Sequence, residues 1–244
     1  MNAFFSMLMD ELPQVVDGLR VTLEATVLGS ALALALSFAL GLMAGSRLLV
    51  VRGVSRTVVE FFRGTSLYVQ LFWFYYAMPQ LTGYELTPLF CGIVAFGLNF
   101  GAYGSEVVRG AVNSVPRGQY EAAVALNMTP LHRMRKVILP QAWVQMIPPF
   151  SNLLIQLLKA TPLLWLITAA DLMTVIQMIR DRTGETLTAY LTLLAAYFVI
   201  AYALTLLMNL LERHAKRRLG LRPRAGSLLK SRSAEPVTTA GGAR

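Results

Sequence analysis

Five stretches, near residues 19–45, 57–80, 88–110, 147–170 and 186–211, are apolar over about 20 residues or more. That is the length a helix needs to cross a hydrocarbon layer about 30 Å thick. In such surroundings every backbone N–H and C=O must be paired within the chain, so each stretch is expected to fold as a helix. The expected fold is therefore an all-α membrane protein with five transmembrane helices. Hydropathy supports the second and fourth stretches less firmly, because they contain Glu60 and Arg63, and Lys159.

The composition agrees with several spans: 55% of the 244 residues are hydrophobic and 14% are charged. A net charge of +9 raises nucleic acid as a partner. Its distribution excludes that, because the basic residues lie mostly between or after the apolar stretches. Arg47, Arg52 and Arg56 separate the first two spans. Arg117, Arg133, Arg135 and Lys136 separate the third and fourth, and Arg213, Lys216, Arg217 and Arg218 follow the fifth. The alternate side has Asp10, Glu11, Asp17 and Glu85, and a mixed loop with Asp171, Arg180, Asp181, Arg182 and Glu185. The positive-inside rule then predicts an N-terminus outside, residues 113–140 inside and the C-terminus inside. Residues 1–18 read as a periplasmic-side interfacial helix, 19–212 as the membrane domain, and 213–244 as a basic, disordered tail. The tail's charge suits anionic membrane lipid.

The single cysteine, Cys91, allows no disulfide within the chain and no thiol-based metal site. His132 and His214 are far apart in sequence, which leaves no basis for zinc chemistry or a histidine triad. With no catalytic constellation the chain reads as a non-enzyme, and it has no G-x-x-x-x-G-K-[ST] stretch for holding nucleotide.

Residues 113–140, NSVPRGQYEAAVALNMTPLHRMRKVILP, form a polar, proline-punctuated island. Gln119–Leu126 reads as a short helix, with Glu121 near its positive end. Asn127 stands at the left-handed stop, and Thr129-Pro130 restarts the chain as an N-cap followed by proline. Arg133, Arg135 and Lys136 follow, and Pro140 is expected to interrupt this second helix. Taken alone, the island could be a surface hairpin with no partner.

Glu121-Ala122-Ala123, the turn at Asn127 and Val137-Ile138-Leu139-Pro140 resemble the EAA loop of ATP-binding-cassette (ABC) importer permeases. Asn127 replaces the usual Gly and Val137 the usual Ile. The resemblance continues in GTSLYVQLFWFYY after Glu60-Phe61-Phe62-Arg63, in Gly101-Ala102-Tyr103 through Glu106-Val107-Val108-Arg109-Gly110, and in Leu158-Lys159-Ala160-Thr161. These motifs resemble the polar amino acid branch (histidine, glutamate, glutamine, arginine, opine) of that family. ALNMTP, VILPQA and PPFSNLLIQLLKAT look closest to ectoine and hydroxyectoine permeases. Ser66 stands where Pro is common, and Ala160-Thr161-Pro162 where Asp-Thr-Ser is common, which leaves the solute open.

The resemblance implies a type I importer fold and a pore made with a second permease copy or a paralogue. It also implies a periplasmic solute-binding protein and two ATPase subunits, which hold ATP and Mg; no cofactor is bound by this chain. Glu121, Ala122, Ala123, Asn127 and Arg133 would form the ATPase-coupling element. The alternatives are an ion-gradient-driven secondary transporter of a small zwitterion, using Lys159 or Glu106, and a purely structural membrane subunit.

Ionisable groups inside a bilayer are costly unless paired or hydrated. Helical rise places Arg63 and Glu106 at matching depth, which predicts an ion pair between the second and third spans; separate contacts to water or loop carbonyls are the alternative. Lys159 falls near the midplane, at a depth similar to Asn99 and Gln70, with Gln156 one turn away and Thr161 beyond. These five residues are the expected solute path, with Lys159 either meeting a solute carboxylate or serving as a structural lysine capped by helix carbonyls. Gly41/Gly45 and Gly97/Gly101/Gly104 have the spacing of close helix contacts.

Overall fold

The computed structural model describes residues 2–218, and among these every element is helical. A short helix α1 (Asn2–Asp10) leads into α2 (Leu12–Ala44). The first span therefore starts at Leu12, inside the segment expected to lie on the membrane surface. The leucine- and alanine-rich run of α2 favours helix throughout. Its face carrying Gly29, Ala33, Ser37 and Gly41 is buried, mainly against α6 (Pro88–Asn113).

Small residues let these two backbones approach. A Cβ on Gly97 would lie 2.4 Å from Leu32 Cδ2, and one on Gly41 would lie 2.7 Å from Val108 Cβ. Ser37 Oγ, held in this contact, donates to Ala33 O at 2.6 Å and to Gly101 O at 3.2 Å. Gly45 takes no part and only ends α2.

Four helices among the described residues are long and apolar enough to cross a membrane: Leu12–Ala44, Pro88–Asn113, Pro130–Ile167 and Thr186–His214. The stretch expected to be the second span, 57–80, is not one continuous helix. It is divided between α3 (Leu49–Gly64) and a second helical segment made of α4 (Leu67–Phe72), a π-helical turn (Trp73–Ala77) and α5 (Met78–Thr82). Thr65 and Ser66 between them are extended. Gly, Thr and Ser in a row are poor helix formers, and hydropathy, which counts only side-chain transfer, is blind to such a break.

Residues 113–140 fold as α7 (Arg117–Ala125) and α8 (Pro130–Arg133), after which a π-helical turn (Met134–Ile138) leads into α9 (Leu139–Ala160). Pro140 does not interrupt this helix as expected. It lies two residues past the π turn, as Pro79 does past the turn at Trp73–Ala77. A widened turn gives room where a proline ring would strike the carbonyl four residues back. The fourth helix thus begins well before 147, and it ends in a 3₁₀ segment, Thr161–Ile167.

The mixed loop expected after it is largely helical: α10 (Leu172–Thr183) packs against α2 and α11 (Thr186–Arg218). Phe4 of α1 is fully buried in the cluster formed by Leu172, Val175, Ile176, Ile179, Ala189 and Leu193, so α1 is anchored to the bundle. Most of the basic tail, from residue 219 on, lies outside the described residues.

Candidate functional site

The hairpin α7–α8 is built from its caps. Pro116 precedes α7, and Asn127 (φ 54°) ends it in the left-handed conformation. Asn127 N–H donates to Val124 O at 2.9 Å, and Met128 N–H to Ala123 O at 3.0 Å, which satisfies carbonyls the last turn would leave open. Thr129 caps α8 by accepting from His132 N–H at 3.4 Å, with Pro130 at the first helical position. Beneath the hairpin, Val115, Ile138, Ala142 and Met146 are buried with Val108 and Ala111 of α6. Tyr120 donates to Val112 O at 3.1 Å, and its hydroxyl pKa is pushed up by burial.

Glu121 and Ala122 are exposed on α7, and Asn127 is exposed at the turn. Ala123 is not beside them: it is 2% exposed and faces the core. Arg133 is also turned inward, over the Tyr120 ring at 5.8 Å. The exposed tip of the hairpin is instead apolar at Val124, Leu126 and Leu131, which are 55%, 72% and 71% exposed.

The expected Arg63–Glu106 pair is not formed. Glu106 pairs with Arg109 on its own helix, and Arg63 lies over the Tyr103 ring at 5.3 Å. Matching depth does not fix azimuth, and a partner three residues along the same helix needs less ordering to reach.

The five expected path residues separate into two groups. Gln70 and Asn99 are buried at the break in the second span. Gln70 Nε2 donates to Phe62 O at 3.0 Å and to Thr65 Oγ1 at 2.7 Å, and Asn99 Nδ2 donates to the same Phe62 O at 3.0 Å. Backbone freed inside an apolar layer needs such partners, so these amides hold the break. Thr161 is also buried, donating to Leu158 O at 2.8 Å with Tyr197 OH 3.4 Å away.

Gln156 and Lys159, by contrast, are exposed on α9. They continue a face that includes Gln141, Gln145 and Asn152, all exposed. At 3.6 residues per turn, these five fall within about 60° of one another, and the stripe runs roughly 27 Å along the axis. Its near end meets the hairpin: Gln141 Nε2 donates to Gln119 Oε1 at 3.1 Å, and Ser114 Oγ donates to Gln145 Oε1. The spacing of four, seven, four and three residues was visible in PQAWVQMIPPFSNLLIQLLKA and would have added Gln141, Gln145 and Asn152.

Near the start of α10, Asp171 is fully buried. Its Oδ1 accepts from Thr174 N–H at 3.0 Å and Thr174 Oγ1 at 2.7 Å, while Oδ2 has no hydrogen-bond partner among the described residues. Burial pushes this carboxyl up to about 6 despite those bonds.

A helical bundle with a broken span, a capped hairpin at one end and a polar stripe leading away from it defines a membrane-embedded transport component. The family described as binding-protein-dependent transport system inner membrane component matches residues 37–219, and the chain belongs to it. It is a transport subunit, not an enzyme. The chain is 41% identical over 210 residues to a probable amino-acid ABC transporter permease protein of Sinorhizobium fredii, covering 84% of this chain and 88% of that protein. It is 35% identical to the L-cystine transport system permease protein of Bacillus subtilis, covering 84% and 88% of the two chains. Among solved structures, a crystal structure of an amino acid ABC transporter with histidines superimposes with a TM-score of 0.79 at 32% identity, covering 86% of this chain and 98% of that one. The fold is that of type I ABC importer permeases.

Proposed function

We propose that this chain is the permease subunit of an ATP-driven importer for a polar amino acid or compatible solute, and that the exposed face of α9 lines the solute's path. The single observation that carries the path is the stripe of Asn152, Gln156 and Lys159 on a helix otherwise fit for lipid. Amides and an unpaired lysine facing acyl chains would each cost free energy, whereas a water-filled passage solvates them. The hairpin is the handle for a separate ATPase. Glu121 and Ala122, with the apolar Val124, Leu126 and Leu131 around them, suit a groove on a partner.

In the working assembly two ATPase subunits bind ATP and Mg, and a second copy or a paralogue completes the pore. A periplasmic binding protein delivers the solute, with the hairpin on the cytoplasmic side and the N-terminus outside. The relatives reported above are named for amino acids, L-cystine among them. Ectoine and hydroxyectoine, suggested by the sequence motifs alone, are zwitterions with one carboxylate and are the first compatible solutes to try.

Cys91 is buried, so a Cys91→Ser background gives a clean chain for thiol labelling. In the reconstituted permease–ATPase complex, Asn152→Cys and Gln156→Cys should react with a water-soluble methanethiosulfonate at rates that change on adding ATP. Leu194→Cys on α11 should stay inert. Equal inertness at all three positions would remove the path from α9. Uptake without any ATPase would instead favour gradient-driven transport.

A further inference from the structure

The charges along α9 are one-sided. No Asp or Glu occurs between Glu121 and Asp171, so the helix holding the stripe has no carboxylate anywhere along it. Lys159 is the one charged residue of the stripe, and it has no ion-pair or hydrogen-bond partner among the described residues. Capping by helix carbonyls, which would have made it a structural lysine, is not what the structure shows; the helix simply tightens into 3₁₀ at Thr161.

The carboxylates on neighbouring elements do not neutralise it. Glu106 is paired with Arg109, and Asp171 is turned into the core on Thr174. The remaining polar groups once expected around Lys159, those of Gln70, Asn99 and Thr161, make hydrogen bonds to backbone carbonyls. What α9 turns to the path is therefore neutral amides and one ammonium group. A narrow passage with low-dielectric walls concentrates the field of such a charge.

From this we infer that Lys159 is a charge filter. The path admits solutes that present a carboxylate with no side-chain cation, acidic or neutral zwitterionic, and rejects dibasic ones. This rests on the reading of α9 as the path.

The test uses Gln156→Cys, one turn from Lys159, in the Cys91→Ser permease–ATPase complex in liposomes. Its reaction rates with an anionic (sulfonatoethyl) and a cationic (trimethylammonioethyl) methanethiosulfonate are compared, each normalised to its rate with a free small thiol. With Lys159 present the anionic reagent should be favoured about tenfold. Lys159→Arg should keep that preference, Lys159→Met should bring the ratio close to one, and Lys159→Glu should reverse it. Millimolar L-glutamate or L-glutamine should slow the labelling, and L-arginine should not.

A thiol that reacts with both reagents at a ratio indifferent to residue 159 overturns the filter and leaves the path standing. Equal protection by L-arginine also overturns the filter. A thiol that reacts with neither reagent overturns the path itself.

Discussion

Helices α9 and α11 are both long and both belong to segments apolar enough to span a membrane, yet their exposed faces show their surroundings different chemistry. Helix α11 presents Leu191, Leu194, Phe198, Val199, Tyr202 and Leu206. Helix α9 presents Gln145, Asn152, Gln156 and Lys159 on one face. Exposure alone therefore does not say what a membrane helix touches; the residue types on the exposed face do.

The sharpest way to break this contrast is to exchange the chemistries. Leu194→Lys on α11 should cost on the order of 3 kcal/mol of insertion free energy. Asn152→Lys on α9 should cost well under half of that. Yield of membrane-integrated protein decides, and equal losses would erase the distinction.

Of similar size is the effect at Asp171, the buried carboxyl between these two helices. Its pKa is raised from 3.8 to about 6 on folding, so the protonated form is favoured in the native state. The stability it contributes is fully present below about pH 4 and is lost as pH rises through 6. Asp171→Asn should remove this dependence, with its advantage over the native chain growing between pH 4 and 7 towards an order of 3 kcal/mol. A gap in melting temperature that stays constant over this range would contradict the assignment.

A smaller change is expected at the α2–α6 contact. Gly97→Ala should destabilise the bundle by about 1–3 kcal/mol by pushing against Leu32. Gly110→Ala, where a Cβ would meet nothing within 4 Å, should be neutral or slightly stabilising. Thermal unfolding of the two variants in the same detergent makes the comparison.

Smallest in stability, but telling for coupling, is Gln141→Ala. Losing the bond to Gln119 should cost about 1 kcal/mol or less of stability while lowering solute-stimulated ATP hydrolysis severalfold. Unchanged stimulation would show that the near end of the stripe transmits nothing.

Features that depend on neighbours in the sequence were legible from it. The stop at Asn127 and the cap at Thr129 are set by residues within one turn, and both stand as read. Four of the five apolar stretches were legible for a similar reason, since length and hydropathy are summed along the chain. Besides the break in the second span, the uninterrupted helix at Pro140 and the early starts of α2 and α9, what failed depended on direction around a helix. Depth placed Arg63 level with Glu106 and Gln70 level with Lys159, but azimuth turned Arg63 to Tyr103 and Gln70 to the Phe62 carbonyl. The amides of Gln70 and Asn99 were read as solute contacts because the break that occupies them left no mark in hydropathy.

The widened turn at Met134–Ile138 stands between the hairpin and the stripe. It holds one residue beyond an ordinary helical repeat. Removing a single residue there would let the turn close to an ordinary one and leave the downstream face where it is, whereas the same removal within α9 would swing that face by about 100°. A deletion of one amino acid at the widened turn should therefore do less harm than a deletion between it and the stripe.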